Sequence, residues 1–185
     1  MNRRETLKML GVGAISATAL VSGCKPGEEK KQTIAGDPEF TYDRAKEELA
    51  REKELMAQPN FFSKEEMATI TILSDIIIPK DEISGSASDA KVPEFIEFIV
   101  KDMPEHQVPV RGGLRWLDLH SFNKHGKSFV SCTSAEQIGI VDEIAYPKKA
   151  KPEVAQGVSF FNKMRDLVTT GYYTSEIGVK DLGYM

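Results

Sequence analysis

The residues best placed to do chemistry stand at the start of the chain. Val21-Ser22-Gly23-Cys24 has the form of a lipobox, where small residues admit a peptidase and the Cys24 thiol is diacylated to become a new N-terminus. Ahead of it lie Arg3-Arg4-Glu5-Thr6-Leu7-Lys8 and an apolar run from Met9 to Val21, interrupted by Gly11 and Gly13. A cationic start, a short apolar stretch and a small-residue processing site make up an export signal, which is set aside before the fold is read. The apolar run, about 13 residues, rises only ~20 Å as a helix, short of a ~30 Å hydrocarbon core. Arg3 and Arg4 resemble a twin-arginine motif, with Thr6 where that pattern prefers Phe. A general secretory signal also carries such a pair, so both export routes stay open. One acyl chain holds a protein marginally, at ~0.8 kcal/mol per buried methylene, and several hold it durably. The expectation is an exported, periplasm-facing protein of the cell envelope, lipidated at Cys24. An ordinary signal peptide with a chance cysteine is the plainer rival.

Other chemical residue types are sparse. Besides Cys24 the chain has only Cys132, so lipidation leaves no internal disulfide to form. The three histidines are His106, His120 and His125. His120 and His125 are five apart, which is not the spacing that sets two ligands on one helical face. There is no Cys-x-x-Cys-His for covalent haem and no Gly-x-Gly-x-x-Gly after a strand-like run. No nucleophile–base pair stands out. No catalytic, cofactor-binding or metal residue is therefore expected on this chain. The formal net charge of −4 becomes more negative by two when Arg3, Arg4, Lys8 and Glu5 are lost with the signal. An acidic surface argues against nucleic acid as a partner.

Three stretches follow along the chain: an export signal at 1–23, a lipidated tether at 24–40, and a domain at 41–185. Lys25–Phe40 mixes proline, glycine and charge with little to pack. Tyr42–Ala57 is rich in helix formers, with Glu47–Arg51 as an i,i+4 pair and Leu49 and Met56 as its only packing residues. Ser63 and Glu66 form a capping box, with Phe62 as a staple to Met67, before helical spacing through Ile70, Leu73 and Ile77 that Pro79 stops. Thr69–Ile72 alternates as a strand would, but the cap and the length favour helix. Pro79–Val92 reads as a structured turn whose carboxylates do not match a calcium loop. Pro93 opens a helix with Phe95, Ile96 and Ile99 inward and Glu97–Lys101 paired on the wet side. Val110–His125 is a helix with Leu114, Trp116 and Leu117 inward and Gly126 as its stop. Thr133 and Glu136 cap another, with Ile138, Ile140, Val141, Ile144 and Ala145 as its apolar residues. Val154, Val158, Phe161, Met164 and Val168, joined by Phe160 and Leu167, form the longest stripe. The fold expected is a single all-α domain of about five or six helices.

The last segment, Gly171–Met185, holds Tyr172, Tyr173 and Tyr184 with three glycines and shows no helical period. Tyrosines offer a rigid face with one polar handle and are enriched where proteins meet. Contact with a partner is the favoured reading, and a tail folded onto its own domain is the alternative.

Shared motifs in a shared order resemble the small subunit, subunit 3 or gamma, of membrane-bound gluconate 2-dehydrogenase, from about Phe61 to Tyr184. They are Ile72-Leu73-Ser74-Asp75-Ile76-Ile77-Ile78-Pro79, Ala90-Lys91-Val92-Pro93-Glu94-Phe95-Ile96, and Gly113-Leu114-Arg115-Trp116-Leu117-Asp118. Gly126-Lys127-Ser128-Phe129, Phe160-Phe161, Gly171-Tyr172-Tyr173-Thr174-Ser175-Glu176-Ile177-Gly178 and Leu182-Gly183-Tyr184 complete the set. The resemblance implies a partner rather than a reaction. Such subunits accompany a large FAD-containing oxidoreductase of the glucose–methanol–choline type, often with a haem-bearing cytochrome c subunit. The large subunit oxidises an alcohol of a sugar, sugar acid or glycoside, and the small one often carries the only twin-arginine signal. Relatives usually run on past the position of Met185, and the lipobox cysteine is not general among them. On this reading Trp116, Tyr172, Tyr173, Ser175, Glu176 and Tyr184 are candidates for docking, along with the loop 79–92. A free-standing envelope lipoprotein that binds a saccharide or a protein is the alternative.

Overall fold

Seven α-helices build the region that the computed structural model describes, residues 45–184. They are α1 (Lys46–Ala57), α2 (Lys64–Ile77), α3 (Val92–Asp102), α4 (Gln107–His125), α5 (Ser134–Ala145), α6 (Ala155–Tyr173) and α7 (Glu176–Asp181). No strand occurs among the described residues, so the all-α expectation holds, with one short closing helix more than the sequence suggested. The export signal, the tether and Tyr42–Arg44 lie outside the described residues.

Each start and stop has a local cause. At α2 the Ser63 hydroxyl accepts from the Glu66 amide at 3.2 Å while the Glu66 carboxylate accepts from the Ser63 amide at 2.8 Å. Thr69 and Thr71, half of the strand-like alternation, donate their hydroxyls to the carbonyls of Glu65 and Met67 one turn earlier. That satisfies them inside a helix and removes the case for a strand. Thr133 and Glu136 form the same reciprocal cap on α5. Gly126, at φ +72°, ends α4 in the left-handed conformation, with its amide bonded to Phe122 O.

The core is organised around α6, which packs against α2, α3, α4, α5 and α7. Its stripe works as the spacing requires: Met164 and Val168 are fully buried, and Phe160, Phe161 and Leu167 nearly so. The α4–α6 contact is reciprocal. Phe160 of α6 sits where a side chain on Gly113 would go, and Trp116 of α4 sits where one on Gly157 would go. Each helix thus lacks, at one glycine, the Cβ that would collide with the other's aromatic ring.

Four local expectations are corrected. Arg51 turns away from Glu47 and bonds Asp102 of α3 through Nε at 2.8 Å, which fastens α1 to the domain. Leu55, rather than Met56, is the buried residue of α1. Ile138, expected inward, is 49% exposed because α5 turns Ile140, Val141 and Ile144 to the core instead. Glu97 is not on a wet side. It is buried, accepts from the Phe61 amide at 2.7 Å and the Phe62 amide at 3.1 Å, and pairs with Lys101 at 3.0 Å. Two backbone donors at the chain's entry into α2 need that carboxylate, since burial leaves no water to serve them.

Candidate functional site

The C-terminal segment is built into the fold. α6 runs on to Tyr173, one turn past the expected end, because Tyr172 lies four residues beyond Val168 on the same buried face. Tyr172 is fully buried, and its hydroxyl donates to Ser84 Oγ and Gly85 O, each at 3.0 Å. Its ring is therefore core and is withdrawn from any contact surface. Ser175 caps α7, accepting from the Gly178 amide at 3.1 Å and donating to Tyr172 O at 2.6 Å. Glu176 pairs with Lys180 at 2.6 Å, and that bond holds its carboxyl below the ordinary glutamate range. Tyr173 and Tyr184 remain exposed, the latter by 81%. Of the tyrosines read as docking residues, these two keep accessible rings.

The loop that Tyr172 grips is tightly organised. Asp75 accepts from the Ser88 amide and hydroxyl, both at 2.8 Å, and Asp81 accepts from the amides of Ile83 and Ser84. Those two amides hold the Asp81 carboxyl below its ordinary range. Lys91 then enters α3 at φ 58°, a left-handed conformation uncommon for a residue with a side chain. The carboxylates serve the loop's own backbone, as a structured turn requires. Ile83 at its tip is 87% exposed.

Trp116 is half-buried and stacks on His120, with ring centroids 4.8 Å apart and planes 10° from parallel. His120 Nε2 lies 2.9 Å from Glu143 of α5, whose other oxygen pairs with Lys124. Partial burial pushes the Glu143 carboxyl up, but the bonds from Lys124 and His120 outweigh it and hold it below the ordinary range. His120 and Glu143 border a cleft of about 470 Å³ that Asp142, Lys149, Lys151 and Glu153 also line. The lining mixes both signs of charge and holds no hydroxyl or thiol, so it offers polar and charged contacts. His125 and Lys127 approach Glu136 in a similar way, at 3.7 and 2.8 Å. Cys132 is buried, with its sulfur 3.1 Å from Ser121 Oγ. Among the described residues no group of three or more His, Cys, Asp or Glu is arranged to hold a metal ion. No helix among them is long and apolar enough to cross a membrane. Arg3, Arg4 and Cys24 lie outside the described residues.

Two surface features escaped the sequence reading. On α4, Leu119 and Phe122 are 49% and 61% exposed, on the face opposite Leu117 and Ser121. The helical spacing of 114, 117 and 121 already leaves 119 and 122 outside, so this patch had a signal. Ile138 and Tyr146, 49% and 56% exposed, form the second.

What the domain presents is a helical scaffold whose polar side chains cap, clamp and pair, with apolar and aromatic side chains left on the outside. The chain belongs to the gluconate 2-dehydrogenase subunit 3 family, whose model matches residues 64–185. The match spans α2 to α7 and leaves out α1. No curated protein and no solved structure matches the chain.

Proposed function

We propose that this chain is the non-catalytic small subunit of a membrane-associated, FAD-dependent dehydrogenase of the glucose–methanol–choline type. The flavoprotein partner oxidises an alcohol of a sugar, sugar acid or glycoside, and a cytochrome c subunit carries the electrons onward. The chain's own part is to escort and dock the flavoprotein. Arg3 and Arg4 address the pair for export, and lipid on Cys24 holds it at the periplasmic face of a membrane. The observation that carries this reading is the family match over 64–185, the same stretch that forms the core around α6. FAD belongs to the partner in this scheme, and haem c to a third subunit.

Affinity purification of the full chain from membranes in mild detergent tests it. The expected result is a co-eluting flavoprotein, identified by mass and flavin absorbance, that oxidises a sugar substrate while the separated small chain does not. Turnover by the small chain alone overturns the reading. Replacing Cys24→Ser is expected to move the domain into the soluble fraction, and a variant that still sediments with membranes removes lipid as the anchor.

A further inference from the structure

α2 and α5 both pack on α6, yet they make hardly any contact with one another. Between them runs a groove of about 550 Å³ with Phe161 of α6 on its floor. Ile76 and Ile77 form one wall, Val141 and Ile138 the other, and Tyr146 closes one end. Ile138 and Tyr146 are 49% and 56% exposed, so the apolar lining continues onto the open rim. Single exposed apolar residues need no explanation, whereas a continuous apolar groove with a polar edge has the anatomy of an interface.

We propose that this groove receives an amphipathic helix of the dehydrogenase partner, which rests on the accessory-subunit reading above. The shape is that of a helix layer with one member missing. Two helices pack on a third with little contact between them, and an added helix packs on such a surface at an interaxial distance of about 8–10 Å. The charges at the edge specify the occupant further. Asp142, exposed on α5, has no ion-pair partner among the described residues, and the Arg165 guanidinium of α6 bonds only Asn162 Oδ1, at 3.0 Å. The fitting helix therefore carries an apolar stripe, a cation opposite Asp142 and a carboxylate opposite Arg165. A second copy of this chain fits less well, because two chains of the same net negative charge repel as they approach.

The test compares three variants of the full chain: Ile138→Glu and Asp142→Arg in the groove, and Phe122→Glu on the exposed face of α4. The readout is flavin recovered per mole of chain from detergent-solubilised membranes, with helical circular dichroism and melting as the folding check. Ile138→Glu is expected to lower flavin recovery at least tenfold and Asp142→Arg several-fold, with melting unchanged, while Phe122→Glu recovers as much as the parent. Asp142→Arg exchanges one exposed charge for another, so it decides the matter if Ile138→Glu melts early. Loss with Phe122→Glu and retention with the groove variants overturns the groove and leaves the accessory function standing. Equal loss in all three overturns it too. If the parent chain recovers no flavoprotein, both readings fall. If the purified chain dimerises and Ile138→Glu separates the dimer, the occupant is a second copy and the proposal is wrong.

Discussion

Two regions use carboxylates in opposite ways. At the corner where the chain enters α2, Glu97 is buried and serves three donors at once: the amides of Phe61 and Phe62 and the ammonium of Lys101. Along the seam between α4 and α5, Glu136 and Glu143 meet Lys127, Lys124, His125 and His120 with much of each side chain in solvent. Water stands ready to replace any partner lost at the seam. At the corner it does not. The same ion-pair chemistry thus fixes the fold in one place and decorates it in the other.

Substitutions can break or sharpen that contrast. Glu97→Ala strands a buried ammonium and two backbone donors, so a loss of about 3–5 kcal/mol is expected in chemical denaturation. A loss below about 1 kcal/mol would erase the distinction between the two regions. Tyr172→Phe removes one hydroxyl that bridges α6 to the loop at Ser84 and Gly85. It should cost about 1 kcal/mol, and hydrogen exchange at the amides of 84–88 should quicken. Glu143→Gln, at a side chain 37% exposed, should cost less than about 1 kcal/mol, and less again at high salt.

The smallest effect is one of pH. The Lys127 ammonium, followed by the Thr133 amide and hydroxyl, holds the Glu136 carboxyl down at about 2 against an ordinary value of 4.5. A carboxyl depressed on folding contributes stability above its unfolded value, and that contribution fades as pH falls through the folded one. Stability against pH should therefore decline between about 4.5 and 2, and Glu136→Gln should flatten the decline in that window. An unchanged profile in the variant would assign the acid sensitivity elsewhere.

Much of the fold was legible because its causes are local. Ser63 with Glu66, Thr133 with Glu136, and Gly126 announced their helix ends within four residues, and the stripe from Phe161 to Val168 announced the central helix. Glu97 was misread because an i,i+4 lysine is a sufficient local explanation, while its decisive partners lie 35 and 36 residues earlier. The end of α6 was missed although Met164, Val168 and Tyr172 continue one face at four-residue intervals. Clustered tyrosine and glycine outweighed the period. Candidate docking residues were legible only as residue types. Whether a tyrosine meets a partner or a core depends on which helix covers it, and only the four-residue interval from Val168 sets Tyr172 apart from Tyr184 in the sequence.

The place of α6 at the centre of the core has a consequence for synthesis. α6 follows α2 to α5 along the chain, so a nascent chain ending near Pro152 has made those four helices and lacks the element that joins them. Packing of the four around a common core must wait for α6, since their long-range contacts with it close only then. Until that moment the growing polypeptide is a row of half-dressed amphipathic segments, which is the form that holdase chaperones capture.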